Sequence, residues 1–155
     1  MISENSSLIK IISENFLKAM GEEGSVELEK LPEEQGFLVK LNLFDPQFLI
    51  GPRGVYLEAF ERILRAMVRK KTEGEVFLSV DINNYRKRRA DFLRDLAREI
   101  GDQVSLSKKQ VTLEPMSAFE RRVIHSEIAS REDLASESIG EDPERRVVIK
   151  PRIEL

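Results

Sequence analysis

The 155-residue chain contains no cysteine and only one histidine, His125. Lack of cysteine excludes a thiol nucleophile, a disulfide framework and a cysteine-ligated metal. There is neither an H-E-x-x-H pair nor a G-x-x-x-x-G-K-[ST] loop, so the usual zinc and phosphoryl-transfer constellations are missing too. No metal set, cofactor site or catalytic group is expected. His125 with Glu120 or Glu127 has the groups for acid and base work, but Glu120 is taken up in a helix cap described below, and the sequence reads as that of a protein that is not an enzyme. No apolar run approaches the ~18 residues of a membrane span. The amino terminus is polar through Ser3-Glu4-Asn5-Ser6-Ser7, which is not a signal peptide. A cytosolic protein without membrane insertion is expected.

What is present is charge, unevenly distributed. The net charge of −3 argues against strong, sequence-blind binding to nucleic acid. Yet residues 51–71 hold six Lys/Arg against two Asp/Glu, and residues 84–110 hold eight against four. The rest of the chain is acidic, so positive charge is gathered into two blocks.

The first block opens on Leu49-Ile50-Gly51-Pro52-Arg53-Gly54, an apolar segment running into two glycines and then a long amphipathic helix. Gly51 and Gly54 can adopt backbone conformations closed to other residues, and without a Cβ they allow a polymer backbone to come close. The first amides of the following helix and its dipole favour an anion at the same place. Arg53 adds a cation. A G-x-x-G alone is more often only a tight turn, and its setting has to decide.

The first helix is expected over Ser6–Met20, with Leu8, Ile12, Phe16 and Met20 recurring every fourth residue. Two strands follow. Val26, Leu28 and Leu31 alternate with polar residues, Pro32 to Gly36 turns the chain, and Phe37, Val39, Leu41 and Leu43 continue the period of two. Asp45-Pro46 starts a very short helix ending at Gly51. A helix then runs from Gly54 to about Lys71, its apolar arc being Tyr56, Leu57, Phe60, Ile63, Leu64, Met67 and Val68. Glu58 with Arg62 and Glu61 with Arg65 have the spacing of ordinary solvated salt bridges. Val76, Leu78, Val80 and Ile82 make a third strand.

Asn84 is placed to cap a helix from Tyr85 to about Val104, whose apolar stripe is Tyr85, Phe92, Leu93, Leu96, Ala97, Ile100 and Val104. It opens with the densest basic run, Arg86-Lys87-Arg88-Arg89. Lys87 and Arg88 fit an exposed helix start. Arg86 and Arg89 fall beside the apolar arc, either paired at a junction or aimed into a nucleic-acid path. A short strand at Val111-Thr112-Leu113 precedes Ser117-Ala118-Phe119-Glu120, the signature of a capping box. The helix that follows carries Phe119, Val123, Ile124 and Ile128, with Arg121 and His125 sharing a face at the edge of that arc. Strands over Leu134–Ile139 and Arg145–Lys150 flank a Gly140–Pro143 turn.

The order helix, strand, strand, short helix, G-x-x-G, helix, strand resembles a KH domain of the bacterial, type II arrangement. That resemblance implies that the Gly51-Pro52-Arg53-Gly54 loop clamps about four nucleotides of single strand along the backbone. Pro52 departs from the family's usual basic residue and offers no N–H to a phosphate. Further on, Leu113-Glu114-Pro115-Met116, Glu120 to His125 and Pro143 to Ile149 resemble the R-three-H domain, named for an Arg and a His separated by three residues. By that resemblance Arg121 gives a fork of donors to phosphate, His125 donates to phosphate or stacks on a base, and Arg145 or Arg146 reaches the same face.

Taken together, the strings resemble the bacterial Jag (SpoIIIJ-associated) family over nearly the whole chain. The implied fold class is α+β: a type II KH domain over 1–83, with a three-stranded sheet and helices on one face, joined by a linking helix over 84–109 to a small α/β R-three-H domain over 110–155. Ile139 stands where the family commonly has an acidic residue. The resemblance begins at the first KH helix with no amino-terminal Jag domain ahead of it, so roles depending on that domain are not expected. The implied function is a two-site clamp on single-stranded RNA or single-stranded DNA, through Gly51, Pro52, Arg53, Gly54, Arg86, Arg89, Arg121, His125, Arg145 and Arg146. The alternative is a protein-interaction module, with a small KH protein as the partner the family implies.

Overall fold

A computed structural model describes residues 2–32 and 36–152. Glu33, Glu34 and Gln35 of the expected hairpin turn lie outside the described residues. The chain divides into two compact units, Met1–Arg86 and Lys87–Leu155. Both are mixed α+β, and each holds a three-stranded sheet.

The first unit comprises α1 (Ile2–Ala19), β1 (Gly24–Leu31), β2 (Gly36–Leu43), α2 (Gln47–Ile50), a 3-10 turn (Pro52–Gly54), α3 (Val55–Arg69) and β3 (Phe77–Ile82). Its sheet order is β1-β2-β3. β1 and β2 are antiparallel with Val26 opposite Leu41, whereas β2 and β3 are parallel with Val39 opposite Val80. Parallel neighbours need a crossover, and here α2, the glycine loop and α3 form it. The strict alternation of Phe37, Val39, Leu41 and Leu43 sends all four into the core, where Leu57, Phe60, Leu64 and Val68 of α3 meet them. Each such buried side chain stabilises the fold by roughly 1.5–3 kcal/mol.

Two apolar faces differ from expectation. The buried stripe of α1 is Ile9, Ser13 and Leu17, while Met20 is exposed. Ser13 takes a core position because its hydroxyl donates to the Ile9 carbonyl of its own helix at 2.7 Å. On α3, Tyr56 and Ile63 are half exposed and Glu61 lies inside. The short helix begins one residue later than expected, with Pro46 as its N-cap.

The second unit holds most of α4 (Tyr85–Ser107), then β4 (Val111–Thr112), α5 (Ala118–Ala129), β5 (Leu134–Ile139) and β6 (Arg146–Pro151), with sheet order β4-β6-β5. As the central strand, β6 buries Val147, Val148 and Ile149 in succession. The sequence sets 84–109 apart as a link. In the structure Leu93, Ala97 and Val104 of α4 lie in one core with Ile124, Ile128, Leu134 and Ile149. Phe92 and Phe119, expected in apolar stripes, are about half exposed. The capping box is formed: the Ser117 hydroxyl accepts from the Glu120 amide at 3.3 Å, and the Glu120 carboxylate accepts from the Ser117 amide at 2.9 Å. Among the described residues no helix is long and apolar enough to cross a membrane, and no three His, Cys, Asp or Glu gather to hold a metal ion.

Candidate nucleic-acid interface

The glycine loop is built from buried residues outward. Leu49 and Ile50 of α2 are in the core, and the Gly51 amide closes that helix on the Gln47 carbonyl at 2.9 Å. Gly51 then takes φ 68 and ψ 178, after which the Gly54 amide reaches back to the Gly51 carbonyl at 3.2 Å. Arg53 (φ 56) and Gly54 (φ 77) follow one another in the left-handed region. For arginine that backbone costs about 1–2 kcal/mol. The result is a hairpin of main chain at the mouth of α3, with Pro52 and Arg53 exposed at its tip.

The missing Cβ atoms make room within the protein itself. A Cβ on Gly51 would overlap the Tyr56 ring, and one on Gly54 would lie 2.9 Å from Cε1 of Tyr85. The protein's own rings occupy those two spaces. Glycine is needed here for the positive φ and for close ring packing together.

Arg86 is engaged within the first unit. Its Nη2 donates to Oε2 of Glu61 at 2.7 Å, and its Nη1 donates to the Ser79 hydroxyl at 3.1 Å. Glu61, expected as half of a surface pair, is only 7% exposed. Its carboxylate also accepts from the Val80 amide at 2.8 Å and pairs with Arg65 at 2.7 Å. Arg65 Nε in turn donates to the Leu78 carbonyl at 2.6 Å. Two outward main-chain groups of β3 are thereby satisfied by α3 side chains, which blunts that sheet edge. Of the two open readings for Arg86, the structure shows pairing.

Arg89 is paired as well. Its Nε donates to Glu120 Oε1 at 2.7 Å, and its guanidinium lies 5.3 Å from the centre of the Phe92 ring. One nearly buried carboxylate therefore serves both the α5 cap and the first turns of α4.

Arg121 is 7% exposed and faces inward. Its Nη1 donates to the Met116 carbonyl at 2.7 Å and to Asp142 Oδ1 at 3.2 Å. His125, one turn on, is held from both sides: Nδ1 is 2.7 Å from the Ser136 hydroxyl and Nε2 is 2.7 Å from the Ser138 hydroxyl. Burial first, then the Arg121 and Arg145 guanidiniums, hold the ring's pKa below its ordinary 6.5. A neutral ring donates from one nitrogen and accepts at the other, so the two hydroxyls play opposite parts. Arg145 donates to the Gly140 carbonyl at 2.6 Å across the β5–β6 turn. Arg146 is turned to Glu144, 3.2 Å from its carboxylate.

Arg121, His125 and Arg145 are thus brought together, whereas Arg146 serves its own turn. Ser136 and Ser138 are the residues that sequence reasoning missed. The signal was available, since residues two apart on a strand share a face.

The R-three-H domain family model matches residues 91–151. "RNA-binding protein KhpB" of Clostridium symbiosum is 33% identical over 136 residues, 88% of this chain and 61% of that protein. The protein of the same name in Lactiplantibacillus plantarum is 36% identical over 104 residues, 67% of this chain and 32% of the relative. That of Bacillus subtilis is 35% identical over 103 residues, 65% of this chain and 50% of the relative. The chain spans from about a third to three fifths of the length of these curated relatives.

Proposed function

Since the chain belongs to the Jag-like family of R-three-H-domain proteins, we propose that it is a cytosolic RNA-binding protein that clamps the backbone of single-stranded RNA with the Gly51–Gly54 loop. The observation that carries this reading is the loop itself: a left-handed Arg53 held at an exposed tip, on a main chain anchored by Leu49 and Ile50 in the core. Left-handed backbone at a residue other than glycine recurs at ligand clamps and active sites. A second, weaker contact lies on the α5–β5 face, where Arg145 meets phosphate while Arg121 and His125 hold the face in place. Two weak contacts on one chain gain through effective concentration, which offsets the acidic net charge. The clamp performs no catalysis, and backbone contacts accept single-stranded DNA to first order.

Fluorescence anisotropy of labelled single- and double-stranded RNA and matched DNA over a salt series tests this. Single strands should bind more tightly than duplex. Pro52→Asp/Arg53→Asp should weaken binding severely, and Arg145→Ala should lower the salt slope by about one. Equal binding by wild type and both variants would overturn the reading in favour of a protein-interaction module, for which a small KH-domain protein is the partner to try.

A further inference from the structure

Among the described residues, the two most exposed aromatic rings are Phe44, at 99%, and Phe48, at 81%. Both stand immediately before the glycine loop, and Tyr56, 54% exposed, stands immediately after it with its ring against Gly51. Singly scattered apolar residues need no explanation, but three exposed rings between residues 44 and 56, on both sides of one cationic loop in the sequence, do.

Their backbones are fixed even though the rings are not covered. Phe44 follows Leu43, whose amide donates to Asn83 Oδ1 at 2.8 Å and whose carbonyl accepts from Asn83 Nδ2 at 2.9 Å. Phe48 precedes Leu49 and Ile50, both in the core. Each ring therefore projects from anchored main chain with its faces in water. Nucleobases present flat faces that stack on such rings whatever their sequence. The adjoining residues 51–71 are the most basic part of the first unit, six Lys/Arg against two Asp/Glu, which favours a polyanion over an apolar protein surface as occupant.

Building on the clamp reading above, we infer that Phe48 and Phe44 form a stacking platform for bases of the single strand whose phosphates lie on the Pro52–Arg53 tip. The loop fixes the backbone and the rings hold the bases, so single-stranded and unpaired nucleic acid is selected over duplex, whose bases are already stacked.

The test compares binding of a short single-stranded RNA with that of the same strand made of abasic nucleotides. Phe48→Ala should weaken RNA binding about tenfold, and Phe44→Ala/Phe48→Ala further. Neither should change the salt slope or the affinity for the abasic strand. The chain has no tryptophan, so Phe48→Trp places a single indole on the platform. Its fluorescence should be quenched by RNA and not by the abasic strand.

If the alanine variants bind RNA as wild type does while Pro52→Asp/Arg53→Asp weakens it, the platform is refuted and the clamp stands. If wild type binds no single strand, the clamp falls and the platform with it. If the alanine variants leave RNA affinity unchanged but convert a dimer to a monomer in sedimentation, the rings form a contact between copies of the chain, and stacking is refuted.

Discussion

The two units use their basic side chains in opposite directions. In the first, Arg53 is pushed out to an exposed tip by a left-handed backbone. In the second, Arg121 is drawn in to a main-chain carbonyl and His125 is held between two serines. A motif read as a row of phosphate donors can thus be, in large part, the frame behind the donors. In each unit a nearly buried glutamate, Glu61 or Glu120, takes up an arginine that the sequence left open between pairing and ligand binding.

That contrast is broken most forcefully by removing the frame of the first unit. Glu61→Ala strips the Val80 amide and two guanidiniums of their acceptor and should cost about 3 kcal/mol by chemical denaturation. Glu61→Gln still accepts from the Val80 amide and should lose about half as much. A loss under ~0.5 kcal/mol in the alanine variant, as for an exposed helix pair, would return Glu61 to the surface role its spacing suggests.

In the second unit, Arg121→Ala leaves the Met116 carbonyl without its buried donor, and about 2 kcal/mol of stability should go. Asp142 is exposed and returns to water without much cost. Were Arg121 mainly a phosphate donor, the variant would keep its stability and lose only affinity.

The contrast sharpens at the loop. Arg53→Gly relieves the left-handed strain and should stabilise the protein by about 1 kcal/mol. It should also weaken RNA binding, with the salt slope smaller by about one. Stability and binding then move in opposite directions at one residue, whereas at Arg121 they fall together.

The smallest effect expected is that of pH. The folded-state pKa of His125 lies below the ordinary 6.5, so the unfolded chain binds the proton more readily. The stability this confers is complete above pH 6.5 and is lost as the pH falls below it towards the folded-state value. Melting temperature measured between pH 7.5 and 5 should therefore fall more in wild type than in His125→Gln. Identical slopes would mean that the ring is not held neutral by its surroundings.

Much of the fold was legible in the sequence. The period of two in Phe37 to Leu43 placed β2 to within one residue, and Ser117 with Glu120 marked the start of α5, because these patterns depend on nearest neighbours along the chain. Glycine spacing located the loop. What was hidden were polar residues made compatible with the core by partners that appear only once the chain is folded. Ser13 is legible only once its own helix supplies the acceptor. Glu61 needs β3 and Arg86, which come 18 to 25 residues later. His125 needs Ser136 and Ser138, 11 and 13 residues on. Phe44 and Phe48 were not singled out at all, since hydrophobicity alone does not say that a ring will be left in water.

The most direct test of the division between an exposed contact and an internal frame is an NMR titration of the ¹⁵N-labelled protein with short single-stranded RNA at low salt. The amides of Gly51 to Tyr56 should shift most, those around Arg145 less, and the Glu61–Val80 pair least. Shifts confined to the outer sheet face around Glu27, Lys40 and Asp81, with the loop unmoved, would contradict the account.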